Sequence, residues 1–442
     1  MLEKMFSLRS LETTVKTEVL AGVATFLAAM YIIVVNPSIL SSAGVPFAGA
    51  LTATVLISFF GSVMMGLYAR NPILVAPGMG INALFTYTMV LGAGIEWQTA
   101  LGCVFWSGVL FGILALFNVR RYVVDAIPAT LRHAIACGIG LFITVIGLVN
   151  AGMLVSNPAT VVGLGKMTPT LVTFLIGLGI TAVLVARRVQ GALILGIVVT
   201  TILAIPIGRL WGDASAMSPT GAPTLVNFQG IFAWPDFGAL WQVDFVGALA
   251  VAYWPFIFVI LFTTFFDAMS TFIGVCQAGN LLDEDGEPRN IRRSMMVDAF
   301  SALISAPLGT SPANAYVESA AGISQGGRSG LVAVVAGLLF LPFLFLSPLL
   351  ALVPAIATAP ALIMVGVFML SPIRTIDWQQ YDDAIPAFVA MMLIPLTYSI
   401  THGVVFGFLT FVVVKVGVGK AKEVRPAMWV LFFLSILMLF EG

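Results

Sequence analysis

Two carboxylates stand alone in long apolar stretches, and they are the residues of this sequence best placed to do chemistry. Asp267 is the sole charge between Asp244 and Asp283, and Glu318 is the sole charge between Asp298 and Arg328. An ionised side chain at the centre of a bilayer costs roughly 2.5–3.5 kcal/mol on insertion scales. Each acid therefore needs a partner, a proton or a ligand. Removal from water disfavours the ion, so such a group can take a proton on one side of a membrane and release it on the other. The plainer alternative is a neutral acid hydrogen-bonded to backbone as structural glue.

Near the acids lie groups that suit a flat polar ligand. One stretch reads Asn71-Pro72-Ile73-Leu74-Val75-Ala76-Pro77-Gly78-Met79-Gly80-Ile81-Asn82, and another Ala306-Pro307-Leu308-Gly309-Thr310-Ser311-Pro312-Ala313-Asn314. Proline removes a backbone donor and glycine weakens a helix. Each stretch is expected to start extended and to become a half-helix near Asn82 and Asn314. Irregular backbone at membrane depth survives only where it is buried in protein or lines a wet cavity. Unpaired N–H groups at a helix N-terminus favour electron-rich ligand atoms. Two such ends meeting at mid-membrane can hold the carbonyl and ring nitrogens of a planar heterocycle, with Glu318 and Asp267 accepting from its N–H groups. Asn82 and Asn314 can both donate and accept; capping of a broken span is their alternative. Phe26, Tyr31, Phe85, Phe266 and Tyr316 are candidates to stack on a ring, with packing or lipid contact as the alternative. Phe266 and Tyr316, beside the acids, are the better placed.

The elements that must position these residues follow from composition. Of 442 residues, 60% are hydrophobic and 9% charged, with mean hydropathy +1.07. Soluble domains carry about 25% charged residues, so a cytosolic or secreted enzyme is excluded. The apolar runs have helix length, not the ~10-residue alternation of an outer-membrane barrel. The sequence thus describes an all-α polytopic membrane protein, with spans at about 19–36, 49–68, 72–90, 98–117, 134–150, 169–186 and 191–208. After a polar stretch they resume at about 246–272, 294–306, 308–322, 330–347, 353–371, 385–400 and 402–418. Ala427–Phe440 is short and reads as an interfacial helix.

Charge placement tests that count. With loops numbered alternately from a cytoplasmic N-terminus, every lysine and arginine except Lys166 and Arg209 falls inside. The positive-inside rule therefore favours fourteen spans with both termini cytoplasmic. The interrupted stretches are then the third and tenth spans. Thr25-Phe26-Leu27-Ala28-Ala29-Met30 in the first span matches Thr264-Phe265-Phe266-Asp267-Ala268-Met269 in the eighth, and Asn82-Ala83 matches Asn314-Ala315. Seven spans per half is odd, so the second half is inserted upside down. Paired interrupted spans in a 7+7 inverted repeat point to a transporter binding site. Ala28 stands where the second half has Asp267, so a symmetrical scaffold carries one asymmetric acid and one site.

The remaining features read as structural. Net charge is zero and no basic tract marks a nucleic-acid partner. Cys103, Cys137 and Cys276 are scattered and form no disulfide framework. His133 and His402 are isolated, no metal-ligand spacing occurs, and no cofactor is expected. Residues 1–18 are charged and amphipathic and read as no cleaved signal peptide. Arg120, Arg121 and Arg132 read as topology anchors. The Leu281–Arg293 loop, with Asp283, Glu284, Asp285 and Glu287, lacks calcium-loop spacing. Gly163-Leu164-Gly165-Lys166 lacks phosphate-loop spacing.

Four segments in combination resemble a known family: FLAAMYIIVVN from Phe26 with Pro37, APGMGINALFTY from Ala76, FDAMSTFIG from Phe266 and GTSPANAYVESAAG from Gly309. Ala126-Ile127-Pro128, Gly138-Ile139-Gly140-Leu141-Phe142, Asn157-Pro158 and the Pro395–Ile400 stretch strengthen the likeness. Together they resemble the azaguanine-like branch of the nucleobase–cation symporter family, over nearly the whole chain. The resemblance implies a cell-membrane purine permease driven by the proton gradient, taking guanine, hypoxanthine or adenine. It implies a fold similar to the uracil permease. Core segments would be 1–133 (spans 1–4) and 241–350 (spans 8–11). Gate segments would be 134–240 (spans 5–7) and 351–442 (spans 12–14 with the C-terminal interfacial helix). It puts substrate contacts on spans 1, 3, 8 and 10, where Phe26, Gly80, Asn82, Phe266, Asp267, Thr310, Asn314, Tyr316 and Glu318 stand. Asp267 and Glu318 match the family's acids and would couple the proton. Relatives suggest a homodimer through the gate. Ala268-Met269-Ser270-Thr271 and Pro312-Ala313-Asn314 depart from the common pattern beside the site and leave the purine preference open.

Rival readings are weaker. A channel needs a continuous polar pore or a ring of like charge. An inorganic-anion exchanger of the same fold suits the half-helix dipoles but not two buried acids; uracil or xanthine transport on the same fold is a nearer alternative. An intramembrane enzyme needs a nucleophile–base pair or a metal motif, and neither occurs.

Overall fold

In the computed structural model, residues 2–117, 127–157, 160–211, 230–282 and 288–441 are described. Arg120, Arg121, Ala126, Pro158 and the acidic cluster Asp283, Glu284, Asp285 and Glu287 lie outside them.

The first half opens with a short α1 (Leu2–Phe6) and α2 (Val15–Ala29), whose cap Thr14 accepts a hydrogen bond from the Thr17 N–H at 3.2 Å. The chain breaks at Met30–Tyr31 and continues as α3 (Ile32–Ser42), which carries Pro37. After α4 (Phe47–Met64) and a wide π turn at Met65–Ala69 come a buried strand, β1 (Val75–Pro77), and α5 (Met79–Ala83), extended by a second π stretch to Gly92. Next are α6 (Trp97–Leu116) and α7 (Ala129–Asn150). A hairpin of β2 (Leu154–Asn157) and β3 (Val161–Leu164) leads into α8 (Pro169–Ala186) and α9 (Ala192–Trp211).

The second half runs through α10 (Trp254–Ala278), α11 (Ile291–Leu308), β4 (Ala313–Ala315) and α12 (Ala320–Ser324). It continues with α13 (Leu331–Phe340), α14 (Ser347–Leu350), α15 (Ala355–Met369), α16 (Tyr381–Leu396), α17 (Ile400–Gly417) and α18 (Pro426–Glu441). Among the described residues, eight helical stretches are long and apolar enough to cross a membrane, and Met79–Gly92, Ala192–Ile205 and Leu331–Phe345 are shorter apolar helices. The chain is a multi-pass membrane protein.

The helices pack in two groups. In one, α13 lies on α2 and α4, α11 on α6 and α4, and α10 on α6. In the other, α7 lies on α15 and α16, α16 on α17, α8 on α9, and α15 on α8 and α9. Lipid gives apolar side chains no reason to prefer each other, so contact depends on close fit. A Cβ on Gly66 would stand 2.3 Å from the Gly330 carbonyl oxygen, and one on Gly330 1.9 Å from that of Gly66. The α8–α9 pair interlocks reciprocally. A Cβ on Gly177 would meet Thr200 Oγ1 at 2.3 Å, and one on Gly196 would meet Thr181 Oγ1 at 2.1 Å. Each of those hydroxyls donates to a carbonyl four residues back, Thr181 to Gly177 and Thr200 to Gly196, both at 2.7 Å.

Candidate functional site

β1 and β4 cross as a two-stranded antiparallel ribbon, with Val75 opposite Ala315, Ala76 opposite Asn314 and Pro77 opposite Ala313. The Gly78 N–H donates to the Pro312 carbonyl at 3.0 Å and the Tyr316 N–H to that of Leu74 at 2.9 Å, extending the ribbon at both ends. Alanines and prolines let the two extended chains approach, and the prolines keep them out of helix. Gly309 permits the entry to β4. It ends α11 at φ +92°, a left-handed conformation, and a Cβ there would stand 2.6 Å from the Ala239 carbonyl.

A buried ribbon needs partners for its outer edges. Ser62 Oγ of α4 accepts from Val75 N at 3.0 Å and donates to Val75 O at 3.1 Å. Ser305 Oγ accepts from Ala313 N at 3.0 Å, and Asp298 Oδ2 from Ala315 N at 3.1 Å; both residues are on α11. Ser319 Oγ accepts from Leu74 N at 2.9 Å. The crossing is thus tied to α4 and α11 by side chains whose work is backbone satisfaction.

The acids gather on one side of this crossing. Asn314, within β4, donates from Nδ2 to Asp267 Oδ2 on α10. Glu318, in the 3-10 turn Val317–Ser319 after β4, accepts from the Tyr31 hydroxyl at 2.7 Å. Tyr31 reaches it because α2 and α3 part at that residue. The Tyr316 hydroxyl crosses the ribbon and donates to the Pro77 carbonyl at 2.6 Å. Tyr31 between α2 and α3, β1, α10 and β4 therefore converge, with polar groups linked through β1 and β4.

Asn82 sits in α5 with a fully buried amide, and neither its oxygen nor its nitrogen has a hydrogen-bond partner. It does not cap the helix; Gly78 holds the cap position and no side chain caps it. Asn314 Oδ1 is likewise buried without a partner. Two amide oxygens and one amide nitrogen are thus buried without a partner. Thr310 accepts from Asn36 Nδ2 at 3.0 Å, and Asn36 Nδ2 also donates to Thr54 at 2.7 Å, which fastens the approach to β4 onto α3 and α4. Gly80 is a close-approach position, where a Cβ would meet Ile139 Cγ2 of α7 at 2.7 Å. Phe26 packs edge-on against Phe340 at 5.0 Å. Phe266 stacks with Phe262 at 6.3 Å and carries the Arg132 guanidinium 5.4 Å above its ring centroid.

Four readings of the sequence need correction. Asp267 and Glu318 are half-buried and are not the only deep acids: Asp298 and Glu18 are fully buried. Glu18 accepts from Arg328 N at 2.8 Å, Ser329 N at 3.0 Å and Ser329 Oγ at 2.5 Å, at the start of α13. Charge spacing placed both at span edges, whereas helix packing encloses them. Asp298 had a visible signal, for Ser294, Asp298, Ser301 and Ser305 recur at i, i+4, i+7 and i+11 and are all buried. Asn82 is no cap, because the helix begins three residues earlier, at Met79. Arg132 is more than an anchor, because its side chain reaches Phe266. Tyr31 was grouped with ring-stacking residues; its role as the donor to Glu318 was missed.

Comparisons with known proteins show the family and the fold. The sequence profile of the Permease family matches residues 16–427. Adenine permease AdeP of Escherichia coli K12 is 39% identical over 438 residues, covering 99% of this chain and 95% of that protein. Guanine/hypoxanthine permease PbuO of Bacillus subtilis 168 is 38% identical over 441 residues, covering 99% and 100%. Among solved structures, the transmembrane domain of the cyanobacterial bicarbonate transporter BicA superposes with a TM-score of 0.66 at 16% identity, covering 87% of this chain and 96% of that one. SLC26A9 gives 0.63 at 12% identity, covering 94% and 68%. These structures share the fold alone. By its profile and its full-length relatives, the chain belongs to the permease family of xanthine and uracil transporters, within the azaguanine-like branch that the four segments resembled, and it is a transporter rather than an enzyme.

Proposed function

We propose that this protein imports purine bases across the cell membrane by proton symport, with both termini in the cytoplasm. One observation carries the reading: Asn314 and the carboxylates Asp267 and Glu318 stand at the crossing of two extended segments, and the helix that follows β1 carries the buried, unpartnered amide of Asn82. Amides of both hydrogen-bonding senses beside two acceptors complement a heterocycle that presents carbonyl, ring nitrogen and N–H edges. The relatives named as adenine and guanine/hypoxanthine permeases support the substrate class at equal similarity and do not separate 6-amino from 6-oxo purines.

The finer architecture belongs to the same proposal. Fourteen spans as a 7+7 inverted repeat agree with the charge distribution, and the ribbon β1–β4 followed by α5 and α12 suits two half-helices. The two packed groups of helices suit a core of 1–133 and 241–350 moving against a gate of 134–240 and 351–442. In such alternating access a bound base neutralises the polar cost of the buried acids while the core moves. Phe26, Phe266 and Tyr316 would flank the ring; Gly80 and Thr310 would hold the two crossings in place. A homodimer through the gate completes the picture. An anion would meet two carboxylates, which argues against bicarbonate or sulfate as cargo despite the shared fold.

Purified protein in vesicles tests this directly. An imposed inward proton gradient should drive accumulation of labelled adenine, guanine or hypoxanthine, competed by bases and not by sulfate or nucleosides. Asp267→Asn should still exchange base for base in counterflow yet fail to concentrate it, and its residual exchange should depend less on pH. Accumulation by Asp267→Asn shifts the coupling role to Glu318. Accumulation by both neutral variants overturns proton coupling at these residues.

A further inference from the structure

The α10 face that leads from Asp267 toward its C-terminal end is open. Phe266 and Asp267 are half-buried, Ser270, Gly274 and Gln277 are exposed, and a Cβ on Gly274 would meet nothing within 4 Å. Small and polar residues at that spacing suit a watered path better than lipid. With the orientation proposed above, this end faces the cytoplasm. Arg132 stands across the head of the path. It belongs to α7, in the other group of helices, yet its guanidinium lies 5.4 Å above the Phe266 ring. It also lines a cavity of about 310 Å³ at the N-terminal ends of α7 and α16, beside Asp383, Phe411, Lys415, Glu423 and Arg425. It is a cation joining the two packed groups next to a proposed substrate acid.

We infer that Arg132 and Phe266 form the cytoplasmic gate of the site. The guanidinium resting on the ring holds α7 against α10, and the contact parts when a base leaves. A purine offers the same kind of π face as the phenyl ring, so the outgoing base competes with Phe266 for the guanidinium. Closing of the gate and release of cargo then share one interaction. This inference rests on the transport reading for its cargo, but the gate itself can be tested without cargo.

The experiment places a single reporter thiol on either side of the contact, with the three buried native cysteines replaced by alanine. Gly274→Cys lies in the open path, and Asn82→Cys replaces a fully buried side chain of the proposed site. A membrane-impermeant maleimide is applied from the cytoplasmic side of inside-out vesicles. Arg132→Gln and Phe266→Leu should each speed labelling of Asn82→Cys by roughly two- to fivefold and leave Gly274→Cys unchanged. The double variant should do no more than either single one, because one contact is removed in every case. Arg132→Lys should restore part of the slow labelling. In purine counterflow without the reporters, Arg132→Gln should change the maximal rate more than the half-saturating concentration. Equal acceleration at both reporters, additive effects, or unchanged labelling at Asn82→Cys overturns the gate. If the parent protein moves no purine while the labelling pattern holds, the transport reading fails and the gate stands.

Discussion

The two crossings at the centre of the molecule have the same backbone and different chemistry. β1 and β4 are both three-residue strands that break an apolar run, and both lead into a helical turn. On both sides a serine from a neighbouring helix satisfies the outer edge, Ser62 for β1 and Ser305 for β4. The β1 side contributes an amide, Asn82, with no partner of its own. The β4 side is already engaged, Asn314 with Asp267 and Glu318 with Tyr31. The scaffold is duplicated because unsatisfied backbone is intolerable in lipid wherever a span is broken. The charged groups are not duplicated, because each buried acid costs stability and one set serves one site.

The comparison can be broken first at the charged side. Glu318→Gln keeps the shape but loses the anion that accepts from Tyr31, and purine uptake should fall by about tenfold or more, against no change in the exposed control Glu12→Gln. Retained uptake would reduce Glu318 to a structural partner of Tyr31. Asn82→Leu probes the other side and should act in two directions. Removing a buried amide without partners should raise the thermal stability of the empty protein by about 1 kcal/mol, while purine affinity drops by about tenfold. A loss of stability would mean that Asn82 is bonded in the resting protein.

Smaller effects test the shared scaffold. Ser62→Ala strips partners from both the N–H and the carbonyl of Val75, whereas Ser305→Ala strips one from Ala313. Each should destabilise by about 1–3 kcal/mol, with Ser62→Ala the larger, read from thermal unfolding in detergent. The smallest effect lies away from both crossings, in the first turn of α16. Asp382 accepts from Lys415 at 2.8 Å and Lys420 at 2.7 Å, and these lysines hold its carboxyl well below the usual range. A lowered folded-state value stabilises above the unfolded value near 4, and the gain is lost as pH falls toward the folded one. Asp382→Asn should therefore cost a small, constant amount of thermal stability from about pH 8 to 5, with the gap narrowing only in stronger acid.

How far the sequence could be read follows from the same contrast. Asp267 and Glu318 were visible as lone charges in apolar runs, and strands β1 and β4 fall in the stretches marked by Pro72, Pro77 and Pro312, whereas Pro307 stays within α11. Family membership was legible in four short segments. Pairing was less legible. Nothing in the spacing of Tyr31 says that it meets Glu318, 287 positions away. Nor does the sequence say that Asn314 takes Asp267 while Asn82 takes nothing. Asp298 and Glu18 escaped notice because a charge count along the chain treats a helix end as a loop, whereas packing encloses the first turn of α2 and the early turns of α11. Arg132 escaped because the positive-inside rule reports which side a cation is on and not how far its side chain reaches.

The interlocked α8–α9 pair bears on how the chain assembles. Its two helices are joined by the short Arg187–Gly191 turn and meet through residues close in sequence, Gly177 and Thr181 against Thr200 and Gly196. Each threonine hydroxyl is already bonded within its own helix, so docking leaves no polar group to be satisfied later. A hairpin of that kind has low loop-closure entropy and is complete as soon as its second helix leaves the insertion machinery. The β1–β4 ribbon is the opposite case, because its strands lie more than 230 residues apart and the edge of β1 stays unpaired until more than two thirds of the chain has been made. The hairpin is thus an early fixed point of biogenesis, and the β1–β4 crossing closes late.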